Sequence, residues 1–273
     1  MLVAPPLATI VRSQVERRLL PLVVRADGGI PTRRLGSILW PDRLDPAASV
    51  IYSIGVGEEI EVERRLLELG ARRLWLFDPT PRSVRFMASI GDHDGRLCFS
   101  PVGAWRQDAL LDFHAPADPR HVSHTVLGPQ GGDGGFRAEV RTLASLMRER
   151  GHEQLDVLKM NVEGAEDAIL ERAFADGITP GAIICTWEGR WSLAKAARWT
   201  RDLRRRGYRL AGRVDWYFTY VPRPLDRGRE GLTEAPRGRG TRRATSRGGP
   251  ACRGGSSRGR AAAPRTGRSR ARR

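Results

Sequence analysis

Lysine is almost missing from this chain: Lys159 and Lys195 are the only two among 47 basic residues. An arginine bias of this kind follows from GC-rich coding, so no single arginine argues by itself for a selected partner. Cysteine is nearly as scarce. Cys98, Cys185 and Cys252 have neither paired nor metal-ligand spacing, and an odd number argues against a disulfide framework. Such usage fits a reducing cytoplasm. Long apolar runs are missing too. The opening MLVAPPLATIVRSQVERRLLPLVV is broken by Arg12 and by Glu16-Arg17-Arg18 before the roughly 18 apolar residues of a membrane span accumulate. It also lacks the basic start and clean apolar stretch of a signal peptide. These absences predict a cytoplasmic protein with no membrane partner. No internal repeat is visible either, which removes solenoid architectures.

The 273 residues suffice for one large domain or two small ones, and 40% hydrophobic with 29% charged residues is ordinary for a globular chain. A formal net charge of +16 suggests a polyanion until its position along the chain is considered. Residues 221–273 hold 16 arginines against 3 acids, whereas the first 220 residues hold 31 basic and 28 acidic groups and are nearly neutral. The closing stretch also has 10 glycines, 5 prolines, 4 serines and no aromatic residue. It has too little apolar surface to offset the entropy of folding, which predicts a disordered tail. The expected division is a partly helical N-terminal extension over residues 1–45, one folded domain over 46–221 and the tail over 222–273.

From residue 49 onward, short apolar runs ending in Gly or Asp alternate with segments of helical periodicity. Strands are predicted at 49–54, 73–77, 96–102, 155–160 and 182–187, with a closing hairpin over 208–221. Between them, helices are predicted over 58–69 with Gly70 as its stop, from Pro81 to about Ile90, and at 143–150, 165–174 and 193–206. Alternation of this kind buries a mostly parallel sheet between helices. The fold class expected is therefore α/β: a Rossmann-like, mostly parallel seven-stranded sheet with helices on both faces and an antiparallel final strand. Residues 104–140 break the alternation and read as an irregular insertion, rich in glycine at 128–135.

The sharpest local signal is Ser53-Ile54-Gly55-Val56-Gly57-Glu58-Glu59 directly after the first strand, with Asp78 ending the second strand 21 residues beyond Gly57. Glycines let the backbone approach a ligand closely, and a carboxylate about 20 residues on can accept both hydroxyls of a ribose. Glu58 and Glu59 stand where a dinucleotide fingerprint has its third glycine, and two carboxylates at a helix start repel a pyrophosphate. S-adenosyl-L-methionine has no phosphate and carries a positive ammonium and sulfonium, so an acidic turn suits it better than NAD.

Over residues 35–221 the chain resembles the FkbM-type family of S-adenosylmethionine-dependent methyltransferases. Val50-Ile51-Tyr52-Ser53-Ile54-Gly55-Val56-Gly57-Glu58-Glu59 resembles its first glycine motif, Leu76-Phe77-Asp78-Pro79-Thr80-Pro81 its second-strand acidic motif, and Leu158 to Asp167 its fourth-strand signature. Pro101-Val102-Gly103 and Val122 to Thr125 are weaker echoes. The resemblance implies a methyltransferase that uses S-adenosyl-L-methionine and acts on a hydroxyl of a small molecule, such as a glycan unit or a secondary metabolite. It places Ser53, Gly55, Val56, Gly57, Glu58, Asp78 and Asn161 at the cofactor. Two departures stand out: Asn161 replaces the usual aspartate, and Ser53 stands where many methyltransferases carry an acid. Asn161 can hydrogen-bond but cannot act as a carboxylate base.

Methyl transfer is an in-line displacement, so the protein chiefly aligns an acceptor oxygen and removes its proton. A base is needed near the end of the fourth strand, which makes Glu163 the leading candidate and His124 the second. Glu163 and Glu166 also suit the start of a helix through its dipole, and His124 beside Ser123 and Thr125 suits a polar loop. Glu188 and Trp191 follow the fifth strand on the loop side and are candidates for an acceptor pocket. Lys159, inside an apolar strand, is expected to seek a strand end or a partner carboxylate. His114, His121 and His124 lack the tight pairing of a metal site, so no metal is expected. The alternatives are an NAD-dependent oxidoreductase on the same sheet, and a nucleic-acid-binding protein whose tail contacts phosphates non-specifically.

Overall fold

The computed structural model describes residues 15–16, 18–91, 94–114, 135–162, 164–187 and 192–223. Seven strands form the central sheet: β3 (Ile51–Ile54), β4 (Leu74–Phe77), β5 (Leu97–Ser100), β9 (Val157–Met160), β10 (Ala182–Thr186), β11 (Tyr208–Val214) and β12 (Tyr217–Pro222). Their order across the sheet is β11-β12-β10-β9-β3-β4-β5. The pairs from β5 through β10 are all parallel, while β12 runs antiparallel to both β10 and β11. The final strand is thus the antiparallel one, as expected from the sequence. β3, β4, β9 and β10 are buried at every position, which is why they read as continuous apolar runs rather than alternating ones.

Alternate residues of these strands feed two apolar layers. Ile51, Leu74, Leu76, Val157 and Ile184 pack on one face, below α1 (Glu61–Glu68) and α2 (Pro81–Ile90). Tyr52, Phe77, Leu158, Met160 and Cys185 pack on the other, against α3 (Leu143–Glu149), α4 (Glu166–Ala175) and α5 (Ser192–Arg205). Pro81 opens α2 at the position where its missing N–H costs nothing, and Thr80 caps it by accepting the Ser83 N–H. α1 begins three residues later than its apolar periodicity suggested.

The N-terminal extension supplies more than a helix. β1 (Thr32–Leu35) and β2 (Ile38–Pro41) pair antiparallel. Trp40 is fully buried, Thr219 of β12 donates to the Leu39 carbonyl at 2.8 Å, and a Cβ on Gly212 of β11 would lie 2.7 Å from Leu39. The hairpin therefore covers β11 and β12 on the α1 face of the sheet.

Residues 104–140 are more regular than expected. β7 (Ala109–His114) pairs antiparallel with β8 (Gly135–Arg141), and β6 (Gly103–Ala104) joins β8 in parallel as a three-stranded sheet. β8 does alternate, with Phe136, Ala138 and Val140 set between the exposed Gly135, Arg137 and Glu139, but this strand signal directly follows a proline- and glycine-rich stretch that makes the whole segment read as irregular. The glycine-rich stretch, His121 and His124 lie outside the described residues, as does the predicted disordered tail beyond residue 223. Among the described residues no helix is long and apolar enough to cross a membrane.

Candidate active site

The C-terminal ends of the parallel strands gather at one edge, and the strand order reverses between β3 and β9. Ligands of open α/β sheets bind at such a switch point. Both glycines of the turn after β3 take left-handed conformations, φ +79° at Gly55 and +61° at Gly57, but for different reasons. A Cβ on Gly55 would stand 1.9 Å from the Asn161 carbonyl oxygen. The turns after β3, β4 and β9 are stitched together there: Asn161 N–H donates to Ile54 O and Gly55 N–H to Phe77 O, each at 2.9 Å. A Cβ on Gly57 would meet nothing within 4 Å. Gly55 thus closes the seam between strands, while Gly57 leaves an open, side-chain-free surface beside it.

Asp78, at the end of β4, is buried and shapes this turn. Its Oδ2 accepts the N–H groups of Val56 and Gly57, both at 2.9 Å, and its Oδ1 accepts the Thr80 N–H and hydroxyl at 2.8 and 2.7 Å. Four donors match the roughly four lone-pair sites of a carboxylate. Asp78 therefore ties the glycine turn to the N-terminus of α2.

Beneath the turn lies a buried polar group that the sequence reading did not assemble. Glu63 of α1 projects into the sheet, accepts the Ser53 hydroxyl at 2.6 Å and pairs with Lys159 Nζ at 3.1 Å; Lys159 also donates to Ser53 at 3.2 Å. Ser53 and Lys159 are opposite one another in the β3–β9 register, so their side chains share a face. Burial alone would lower the Lys159 ammonium, but the Glu63 carboxylate overrides it and holds the pKa above its ordinary value. A carboxylate is thus present below the turn although position 53 is serine. The signal available was an acid, Glu63, on the apolar stripe of α1 with Val62, Leu66 and Leu67.

Asn161 follows β9, and its Oδ1 accepts the Thr186 hydroxyl at 3.0 Å, a bond to the neighbouring strand end. Just beyond the expected base, Lys195 of α5 donates to the Gly164 carbonyl at 3.3 Å and pairs with Glu166 at 2.9 Å. Glu166 is fully buried, its Oε1 has no hydrogen-bond partner among the described residues, and burial raises its pKa against the pull of Lys195. Glu163, His124, Glu188 and Trp191 lie outside the described residues. Among the described residues no group of three or more His, Cys, Asp or Glu is placed to hold a metal.

Glu58 and Glu59 are both exposed, and with Arg64, Arg65 and Phe86 they line a recess of about 560 Å³ between α1 and α2. The Glu58 carboxylate is bound by Arg82 of α2 at 2.5 Å. The charge of the lip is thus partly balanced, and Glu59 is left as its carboxylate without an ion pair among the described residues.

From Val56 onward, the site's residues fall inside a segment that known proteins share. The FkbM methyltransferase domain family matches residues 56–210. A crystal structure of a methyltransferase FkbM from Methylobacillus flagellatus KT is 13% identical, and the alignment covers 78% of this chain with a TM-score of 0.46. The chain spans 60% of that protein's length. No curated protein matches. With the family match running from the glycine turn to β11, over more than half of its length, this chain belongs to the FkbM methyltransferase domain family.

Proposed function

We propose that this protein is an S-adenosyl-L-methionine-dependent methyltransferase that methylates a hydroxyl oxygen of a small molecule, such as a glycan unit or a secondary metabolite. The observation that carries the reading is the contrast between the two glycines: Gly55 is sealed against Asn161, while Gly57 keeps an open surface at the switch point. A ligand can approach the backbone only where no Cβ intervenes. Gly57, Val56 and Asn161 would line the cofactor, with Asp78 holding the turn in shape. Bound there, the cofactor supplies an already activated methyl group, and the carboxylate of Glu59, which has no ion pair among the described residues, disfavours the diphosphate of NAD.

The chain's own task is alignment and proton removal. Glu163 is the base we assign, with His124 as the alternative. Support for Glu163 comes from its neighbours: Lys195 grips the Gly164 carbonyl and the Glu166 side chain, which fixes the backbone on the far side of position 163.

Isothermal titration with S-adenosylmethionine and its demethylated product tests the cofactor. Both should bind in competition, and NADH should not. A folded protein that binds neither, or that binds NADH, overturns the reading. With labelled donor and a panel of hydroxyl-bearing acceptors, label should appear on oxygen, and transfer to nitrogen or carbon alone would refute the hydroxyl assignment.

A further inference from the structure

Residues 15–24 carry two apolar stripes instead of one. Leu20 and Val24 are buried at 1% and 4% exposure, whereas Val15, Leu19, Leu22 and Val23 are 47%, 41%, 65% and 51% exposed. Their spacing of i, i+4, i+7 and i+8 places the exposed four on one helix face. A contiguous solvated apolar face marks an interaction surface more often than an isolated exposed leucine does.

That face continues into charge. Val23 lines a recess of about 400 Å³ together with Ala197, Thr200, Arg201, Arg204 and Arg205 of α5. Arg204 is held by Asp27 at 2.9 Å and Arg205 by Asp202 at 3.2 Å, while Arg201 is exposed and has no ion pair among the described residues. Arg18 on the helix is exposed as well. Cations therefore outnumber acids where the apolar stripe ends.

We propose that this face is a docking surface for an anionic phospholipid bilayer. The apolar stripe enters the boundary between headgroups and acyl chains, and Arg201 of the recess, with Arg18 on the helix, takes the lipid phosphates. Charge selects the occupant. The arginine-rich segment 224–273 and a second copy of this chain would both bring like charge to the recess. A nucleic acid would satisfy the arginines and leave the stripe in water. An anionic bilayer uses both halves of the surface, and it requires no spanning segment, so the lack of one in the sequence does not argue against peripheral docking. The proposal is independent of methyl transfer.

The test is co-sedimentation of the full-length chain with vesicles of phosphatidylcholine alone and of phosphatidylcholine mixed with phosphatidylglycerol. The parent should partition onto the mixed vesicles and hardly onto the neutral ones. Leu22→Asp should weaken that partition by about tenfold or more, since burial of one leucine is worth roughly one such factor. Leu22→Ala should weaken it severalfold, and Arg201→Glu should weaken it and reduce its salt dependence. Both positions are exposed, so the thermal midpoint should stay at the parental value. Parental binding by the Leu22 and Arg201 variants would assign the attraction to segment 224–273 and overturn the proposal. So would retention by single-stranded nucleic acid with no partition onto mixed vesicles.

Discussion

Alanine at position 55 is expected to destabilise the whole fold rather than merely disable the site. The added Cβ would lie 1.9 Å from the Asn161 carbonyl oxygen and 2.7 Å from its carbon, where real Cβ atoms stay beyond 3.0 Å. The turn after β9 would have to retreat by at least 1.1 Å, enough to break the bond from Asn161 N–H to Ile54 O. Three costs combine: about 1–2 kcal/mol for a side chain at φ +79°, about 1–3 kcal/mol for overpacking and about 1 kcal/mol for the lost hydrogen bond. A total of about 3–6 kcal/mol corresponds to roughly 6–24 °C in melting temperature for a domain of this size. Thermal unfolding by circular dichroism is the assay. Gly57→Ala is the internal control, because its Cβ meets nothing and only the left-handed backbone resists, at about 1–2 kcal/mol. That variant should melt within a few degrees of the parent yet lose affinity for the demethylated cofactor in titration. A Gly55→Ala protein that melts with the parent would refute the sealed-seam account. A Gly57→Ala protein with undiminished affinity would refute the open-surface account.

Other substitutions probe the same edge of the sheet. Asp78→Asn would set an amide group against the four donors that the carboxylate now accepts, orphaning buried N–H groups and costing about 2–4 kcal/mol; a parental melt would show that Asp78 does not anchor the turn. Glu63→Gln leaves Lys159 buried without its carboxylate and should cost about 3–5 kcal/mol, whereas Glu63→Leu combined with Lys159→Met should cost clearly less. A double variant worse than the single one would contradict the pairing. Stability should also fall in mild acid. His152 has its pKa lowered by burial and by Arg150 and Arg73, and its Nδ1 lies 2.8 Å from the Tyr52 hydroxyl. The unfolded chain therefore binds the proton more readily. The contribution is complete above the ordinary histidine value of about 6.5 and is lost as pH falls from there toward the lower folded pKa. Urea midpoints between neutral pH and mild acid should show that loss, and His152→Gln should flatten it; an unchanged slope in the variant would assign the acid sensitivity elsewhere.

Much of the sheet was legible in the sequence because its strands are short apolar runs closed by Gly, Asp or Pro. Pro81 marked the start of α2, and the run Leu155–Met160 marked the central strand β9. Leu143, Ala165 and Leu193 each opened a helix that the structure contains within one residue. The glycine turn and Asp78 were legible too, since their chemistry depends on local spacing. Glu63 and Lys159 were not joined, because they are nearly 100 residues apart in the chain and meet only through the β3–β9 register and the inward face of α1. Arg82 was missed as the partner of Glu58 for the same reason: α1 and α2 meet at that point only once β3 and β4 are paired. The sheet formed by β6, β7 and β8 escaped notice because β7 and β8 are separated by 20 residues and half exposed.

Local periodicity and turn chemistry, written into the order of residues, determined the strands of the central sheet and the helices that cover it, where Gly55 and Gly57 fall, and which family the chain resembles. The pairing of strands decided the rest. It made one glycine a seam and the other an opening, turned the Asp78 carboxylate inward to hold the turn, and set Glu63 beneath Ser53. Each of these depends on distances between residues far apart in the chain, and only packing sets such distances.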